Sequence, residues 1–168
     1  MMTTLYEQTV PVFIRNLTSI GKVLAKGEAF AAEKGIDPRE LLDARLIDDM
    51  APLTAQIQRM SDAAKGLAVR LGGVENVAMA DEEKTFADLQ ARIARTIAFL
   101  EKVPADAFDG KEDAPVELAT PKQTFTFTGE SYVATFALPN FFFHMTTAYG
   151  LLRMKGVQIG KMDYLGGV

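Results

Sequence analysis

LPNFFFHMTTAYGLLRMKGVQIGKMDYLG, residues Leu138–Gly166, decides the fold. Its apolar residues recur at three- and four-residue steps, which predicts a long helix from about Asn140 to Lys155, stopped by Gly156. Helical projection gathers Phe141, His144, Met145, Ala148, Leu151 and Leu152 in one sector. Phe142 and Tyr149 lie on one flank, and Phe143, Thr147 and Met154 on the other. A helix apolar around most of its girth is either central in its domain or covered by another surface. A homodimer through this helix is the expected cover, and the preceding hairpin and the tail are the alternative.

Working outward, three more long helices come into view. The first is expected from about Thr4 to Lys26, with Tyr6, Val10, Phe13, Leu17, Ile20 and Leu24 on one face, an awkward Pro11, and Gly27 as its stop. A short piece, EAFAAEKG, follows, and Asp37-Pro38 opens another turn with Asp as cap and Pro at the first helical position. The second long helix is expected from Asp49 to Leu71, inward at Leu53, Ile57, Met60, Ala64, Leu67 and Leu71 and ended by Gly72-Gly73. The third is expected from Lys84 to Val103, inward at Phe86, Leu89, Ile93, Ile97 and Leu100 and stopped by Pro104. The period then changes. VELAT and QTFTFT alternate as a short hairpin does, with Thr124, Thr126 and Thr128 on one side and Phe125 and Phe127 on the other. A short helix from Glu130 to Ala137 leads into the last long one. These segments specify an all-α four-helix bundle with short extra helices and a small β-hairpin, one domain over residues 1–168.

Composition narrows the function classes. A net charge of −4 and no run of five like charges argue against a nucleic-acid or anionic-membrane partner. The absence of cysteine excludes disulfides, thiolate metal ligands and thiol nucleophiles within the chain, and it fits a reducing, cytoplasmic setting. No signal-peptide layout opens the chain, since the first basic residue, Arg15, follows the apolar residues instead of preceding them. Tyr132–Leu152 lacks formally charged side chains, but Pro139-Asn140, His144 and three threonines make a membrane span a poor reading.

The C-terminal stretch together with RLIDDMAPLTAQIQ, residues 45–58, resembles the DUF1993 family of the DinB/YfiT-like superfamily, and the likeness runs from YEQTVPVFIRNL to GKMDYLG. The resemblance implies a DinB-like up-and-down four-helix bundle, commonly dimeric. Many members of the wider superfamily hold a divalent metal with three histidines, one on the second bundle helix and an HxxxH pair on the last. Here the pair would begin at His144, but Ala148 stands four residues on, and the second helix offers Gln56 and Gln58 in place of a histidine. The metal triad therefore does not carry over, and with it goes the basis for the thiol-dependent transferase activity of some metal-binding relatives.

His144, the only histidine, faces the bundle interior, where it is a hydrogen-bonded core residue, part of a ligand pocket, or a metal ligand. A pocket between helices near His144, with Gln56 and Tyr149 as polar neighbours, is the candidate site. Tyr149, Arg153 and Lys161 at the bundle end could line an anion pocket, although Arg153, Lys161 and Asp163 could equally tie the tail down by ion pairs. Asp48-Asp49 reads as helix capping. Gly156-Val-Gln-Ile-Gly160-Lys161 lacks the spacing, the hydroxyl residue and the preceding strand of a phosphate loop. The expected function is a non-catalytic or small-molecule-binding homodimer without a cofactor. A thiol-dependent transferase with an atypical divalent-metal site is the alternative.

Overall fold

The computed structural model describes residues 3–167. Helix α1 spans Val10–Lys34. Pro11 lies in its first turn, where a missing N–H costs nothing, so the proline starts the helix instead of kinking it. The expected start at Thr4 gives way to turns over residues 5–9. Gly27 does not stop the helix. It is buried, and a Cβ there would stand 3.0 Å from Leu152 Cδ2, so its role is close packing. EAFAAEK therefore continues α1, which ends at Gly35 with φ 64°.

Helix α2, Arg39–Leu42, follows Asp37, whose Oδ1 accepts the Arg39 N–H at 2.9 Å. Helix α3 spans Leu53–Arg70 and begins after Pro52, later than expected. Asp48 and Asp49 consequently sit in the turn ahead of α3 and do not cap it. Helix α4, Phe86–Leu100, is fixed by a reciprocal cap in which Thr85 and Asp88 each accept the other's backbone N–H. Strands β1, Pro115–Ala119, and β2, Thr124–Thr128, pair antiparallel with Val116 opposite Phe127. Val116 and Leu118 are buried and Phe127 is half-buried, so the hairpin lies against the helices, as a two-stranded ribbon must.

The two expected C-terminal helices form one rod. Helix α5, Gly129–Tyr132, runs through a π turn, Val133–Ala137, straight into α6, Leu138–Met154. The Leu138 N–H reaches back five residues to the Val133 carbonyl. The cause is Pro139, which has no N–H to donate and whose ring would collide with the Thr135 carbonyl in α register. A last helix that the sequence pattern did not announce, α7, Lys161–Leu165, packs on α1.

Contacts fix the helix directions. Phe13 meets Phe141 with ring centroids 4.3 Å apart and Gly27 meets Leu152, so α1 and α6 run parallel. Gly21 faces Gln90 while Gly27 faces Phe86, so α4 opposes α1. Gln56 meets His144 while Arg70 meets Tyr132, so α3 opposes α6. The order is up, down, down, up, which refines the up-and-down expectation. It requires the connection over residues 71–85 to return along the bundle before α4 can begin. Arg92, fully buried, holds that return segment: its guanidinium donates to the Ala80 carbonyl at 3.2 Å, Asp81 at 2.8 Å and Glu83 at 3.1 Å, and to Asp62 of α3 at 2.9 Å. One cluster of buried side chains extends from Leu5 to Ile159. Among the described residues no helix is long and apolar enough to cross a membrane.

Candidate functional site

His144 projects from α6 toward α3 and is 8% exposed. Its Nδ1 lies 2.7 Å from Gln56 Oε1, while Gln56 Nε2 donates to the Ala51 carbonyl at 2.9 Å. The second bond fixes the amide's orientation, so Oε1 is an acceptor and Nδ1 must carry the proton. Nε2 then holds the lone pair. Burial first, and the Arg59 charge second, push the imidazole pKa down to about 4, so His144 is neutral near pH 7. Nε2 has no protein partner among the described residues, yet the buried side-chain nitrogen left without a partner is Arg92 Nε, so Nε2 keeps an accessible edge.

His144 lines a cleft of about 210 Å³ between α3 and α6. Helix α3 contributes Arg59, Asp62, Ala63 and Arg70, which fall on one edge of its buried stripe. The π turn and α6 contribute Phe136, Asn140 and His144 at successive turns, and β1 adds Leu118. The hairpin thus closes one wall of the cleft. The volume is about that of seven liquid waters, below the usual range for drug-sized ligands.

Charge in the cleft is unevenly partnered. Asp62 is engaged by Arg92 at 2.9 Å and stands 3.9 Å from Lys65. Arg70 donates to the neutral Tyr132 hydroxyl at 3.0 Å. Arg59 has no hydrogen bond or ion pair among the described residues, and neither arginine has a carboxylate partner there. The cleft therefore presents two guanidinium groups, a neutral imidazole acceptor and an amide above an apolar floor of Ala63, Leu118 and Phe136.

Of the expected site residues, His144 and Gln56 come together, and the other three lie elsewhere. Tyr149 packs edge-on against Tyr164 of α7, with centroids 5.7 Å apart. Arg153 Nη1 donates to the Val157 carbonyl at 3.1 Å, and Lys161 is exposed at the first position of α7. The expected tail ties are realised by Asp163 alone, which pairs with Lys26 at 2.6 Å instead of with Arg153 or Lys161. The same Asp163 accepts the Gly160 N–H at 2.8 Å, so a carboxylate of the chain itself occupies the start of α7. Arg59, Arg70, Asp62 and Asn140 escaped the sequence reading. The one-turn spacing of Asn140 before His144 was visible, but the α3 edge that meets it was not.

The donor set around His144 does not match a three-histidine metal centre. Position 148 is a buried alanine, and the Gln56 oxygen is committed to the imidazole N–H. Among the described residues no three His, Asp or Glu side chains converge as a metal site would require.

The DUF1993 family model, described as a domain of unknown function, matches residues 5–165. A crystal structure of a DinB family member protein from Shewanella denitrificans is similar at 38% sequence identity and a TM-score of 0.90, the match covering 98% of this chain and 93% of that one. None of the curated proteins matches.

Proposed function

The chain belongs to the DUF1993 family, whose description names no activity, and from that premise we propose that it binds a small molecule in the α3–α6 cleft through His144 Nε2. The supporting observation is the Nδ1–Gln56 bond at 2.7 Å, which holds a neutral imidazole in the tautomer that offers an acceptor to the cleft. A core histidine kept only for packing would not need its outer nitrogen at an open edge. Asn140 supplies a second polar group, and the apolar floor gives the ligand something to cover. Tyr149, against Tyr164, and Arg153, on the Val157 carbonyl, help hold the C-terminal tail in this reading, and Lys161 lies exposed outside the cleft.

The same reading takes the superfamily's metal site as lost, on the strength of one imidazole without a histidine partner. It takes the working unit as a cytoplasmic, single-domain homodimer. What supports the dimer is the α6 flank that the tail leaves open, where Phe143 is 55% and Met154 50% exposed.

The test is a fragment screen on untagged protein, read by the NMR signals of the single histidine, with affinities for the protein and for His144→Ala both measured by calorimetry. Compounds that move the His144 resonance saturably and lose affinity in the variant support the reading. Compounds that bind equally well to His144→Ala would overturn it. Near-stoichiometric zinc, lost in the variant, would return the transferase alternative.

A further inference from the structure

Resting on that cleft as a binding site, we infer that its ligand class is a small organic anion, a carboxylate that also carries a hydroxyl or amide donor. Three independent features of the cleft lead there. The first is charge. Arg59 and Arg70 border the cleft without a carboxylate partner among the described residues, while its one acid, Asp62, is already engaged by the buried Arg92. Both side chains are exposed, and a carboxylate placed against either guanidinium gains a charge partner in the bidentate geometry that arginine favours. The chain as a whole carries a net charge of −4, so this local positive surface runs against the overall balance.

The second feature is the imidazole. With Nδ1–H donated to Gln56, Nε2 can only accept, so the ligand atom facing it must bring a hydrogen. A carboxylate alone would leave that nitrogen to water at the open edge of the cleft, and a donor on the neighbouring carbon or ring meets it directly. The third is size and floor. About 210 Å³ over Ala63, Leu118 and Phe136 is the size of a compact acid with a short alkyl or aryl group. Arg59 lowers the His144 pKa through its charge. An anion seated on Arg59 would offset that charge, but the ligand's donor on Nε2 holds the ring in its neutral form, so a ligand making both contacts leaves His144 unprotonated near pH 7.

The experiment titrates untagged full-length protein with lactate and mandelate and with their neutral amides, lactamide and mandelamide, following the single imidazole by NMR. Expected are saturable shifts of the His144 signals with both acids, tighter with mandelate. The matched amides should bind roughly tenfold more weakly or worse. Arg59→Gln should remove most of the acid preference, and Arg59→Lys should keep part of it. Amides binding as tightly as acids, or an acid preference unchanged in Arg59→Gln and in Arg70→Gln, would refute the anion class while leaving the cleft as a binding site. No response of His144 to any of the four compounds, in protein whose fold is verified by its NMR spectrum, would reject the class and count against the cleft itself.

Discussion

His144 Nδ1 donates its proton to Gln56 Oε1 across 2.7 Å, and that bond ties α6 to α3 in the middle of the bundle. It determines three things together: the tautomer of the imidazole, the side of the ring that faces the cleft, and the protonation state at neutral pH.

The pH behaviour follows with a definite sign. A folded-state pKa of about 4 lies below the 6.5 of a free histidine, so the unfolded chain binds the proton more readily. The stability that this neutral histidine contributes is complete above about pH 6.5 and is lost as pH falls toward 4, up to about 3 kcal/mol in all. A titration of the His144 carbon-bound protons should give a midpoint near 4, or none before acid unfolding. A midpoint near 6.5 would mean that the ring is hydrated.

Gln56→Glu replaces a neutral acceptor with a carboxylate beside the imidazole. The His144 pKa should rise well above 4, because an adjacent negative charge favours the imidazolium. Gln56→Leu should instead cost about 1–3 kcal/mol, since it leaves the buried Nδ1–H without an acceptor. The NMR titration and urea denaturation distinguish the two effects.

Arg92→Met should destabilise the fold by about 3 kcal/mol, because it leaves Glu83, 4% exposed at its side chain, with only the more distant Arg95 at 3.8 Å as a cationic partner. Burial opposes the Glu83 charge, and the Gln58 and Arg92 hydrogen bonds outweigh that opposition, holding its carboxyl below the usual range. Limited proteolysis should show new cleavage concentrated at residues 71–85, the return segment, which carries little regular structure. Cleavage spread evenly over the bundle would contradict the role of Arg92 as the anchor of that segment.

Gly129→Ala should cost roughly 3 kcal/mol or more. A Cβ at that position would collide with the Lys111 carbonyl, a backbone atom that cannot rotate away. Thermal unfolding measures it, and a change of under about 0.5 kcal/mol, the level of an ordinary surface substitution, would show that the loop before β1 yields easily.

Phe143→Glu probes the open flank of α6. With a side chain already 55% exposed, the monomer's stability should change by no more than about 0.5 kcal/mol. Sedimentation equilibrium should nevertheless show weakened self-association. An unchanged oligomeric state would remove this flank as the dimer interface.

The last helix was legible because its buried sector is written at helical spacing: Phe141, His144, Met145, Ala148, Leu151 and Leu152 are all buried as the projection required. Gly27 was misread as a stop because a glycine that ends a helix and one that admits a neighbour look alike until Leu152 is in place. The expected division into a short helix and a long one also gave way: Pro139 removes a hydrogen bond, and the backbone absorbed the loss in a π turn that keeps one rod continuous.

Local periodicity and turn chemistry, which act over a few residues, were enough for the sequence by itself to determine the four long helices, the hairpin and the inward face of His144. Tertiary structure alone decided the up-down-down-up order, the docking of α7 on α1 and the burial of Arg92, because each depends on a partner far away in the chain. The cleft belongs to that second group: its arginines lie on α3 and its imidazole on α6, and the hydrogen bond that aims Nε2 spans 88 residues. No local pattern encodes which edge of one helix will face which turn of another.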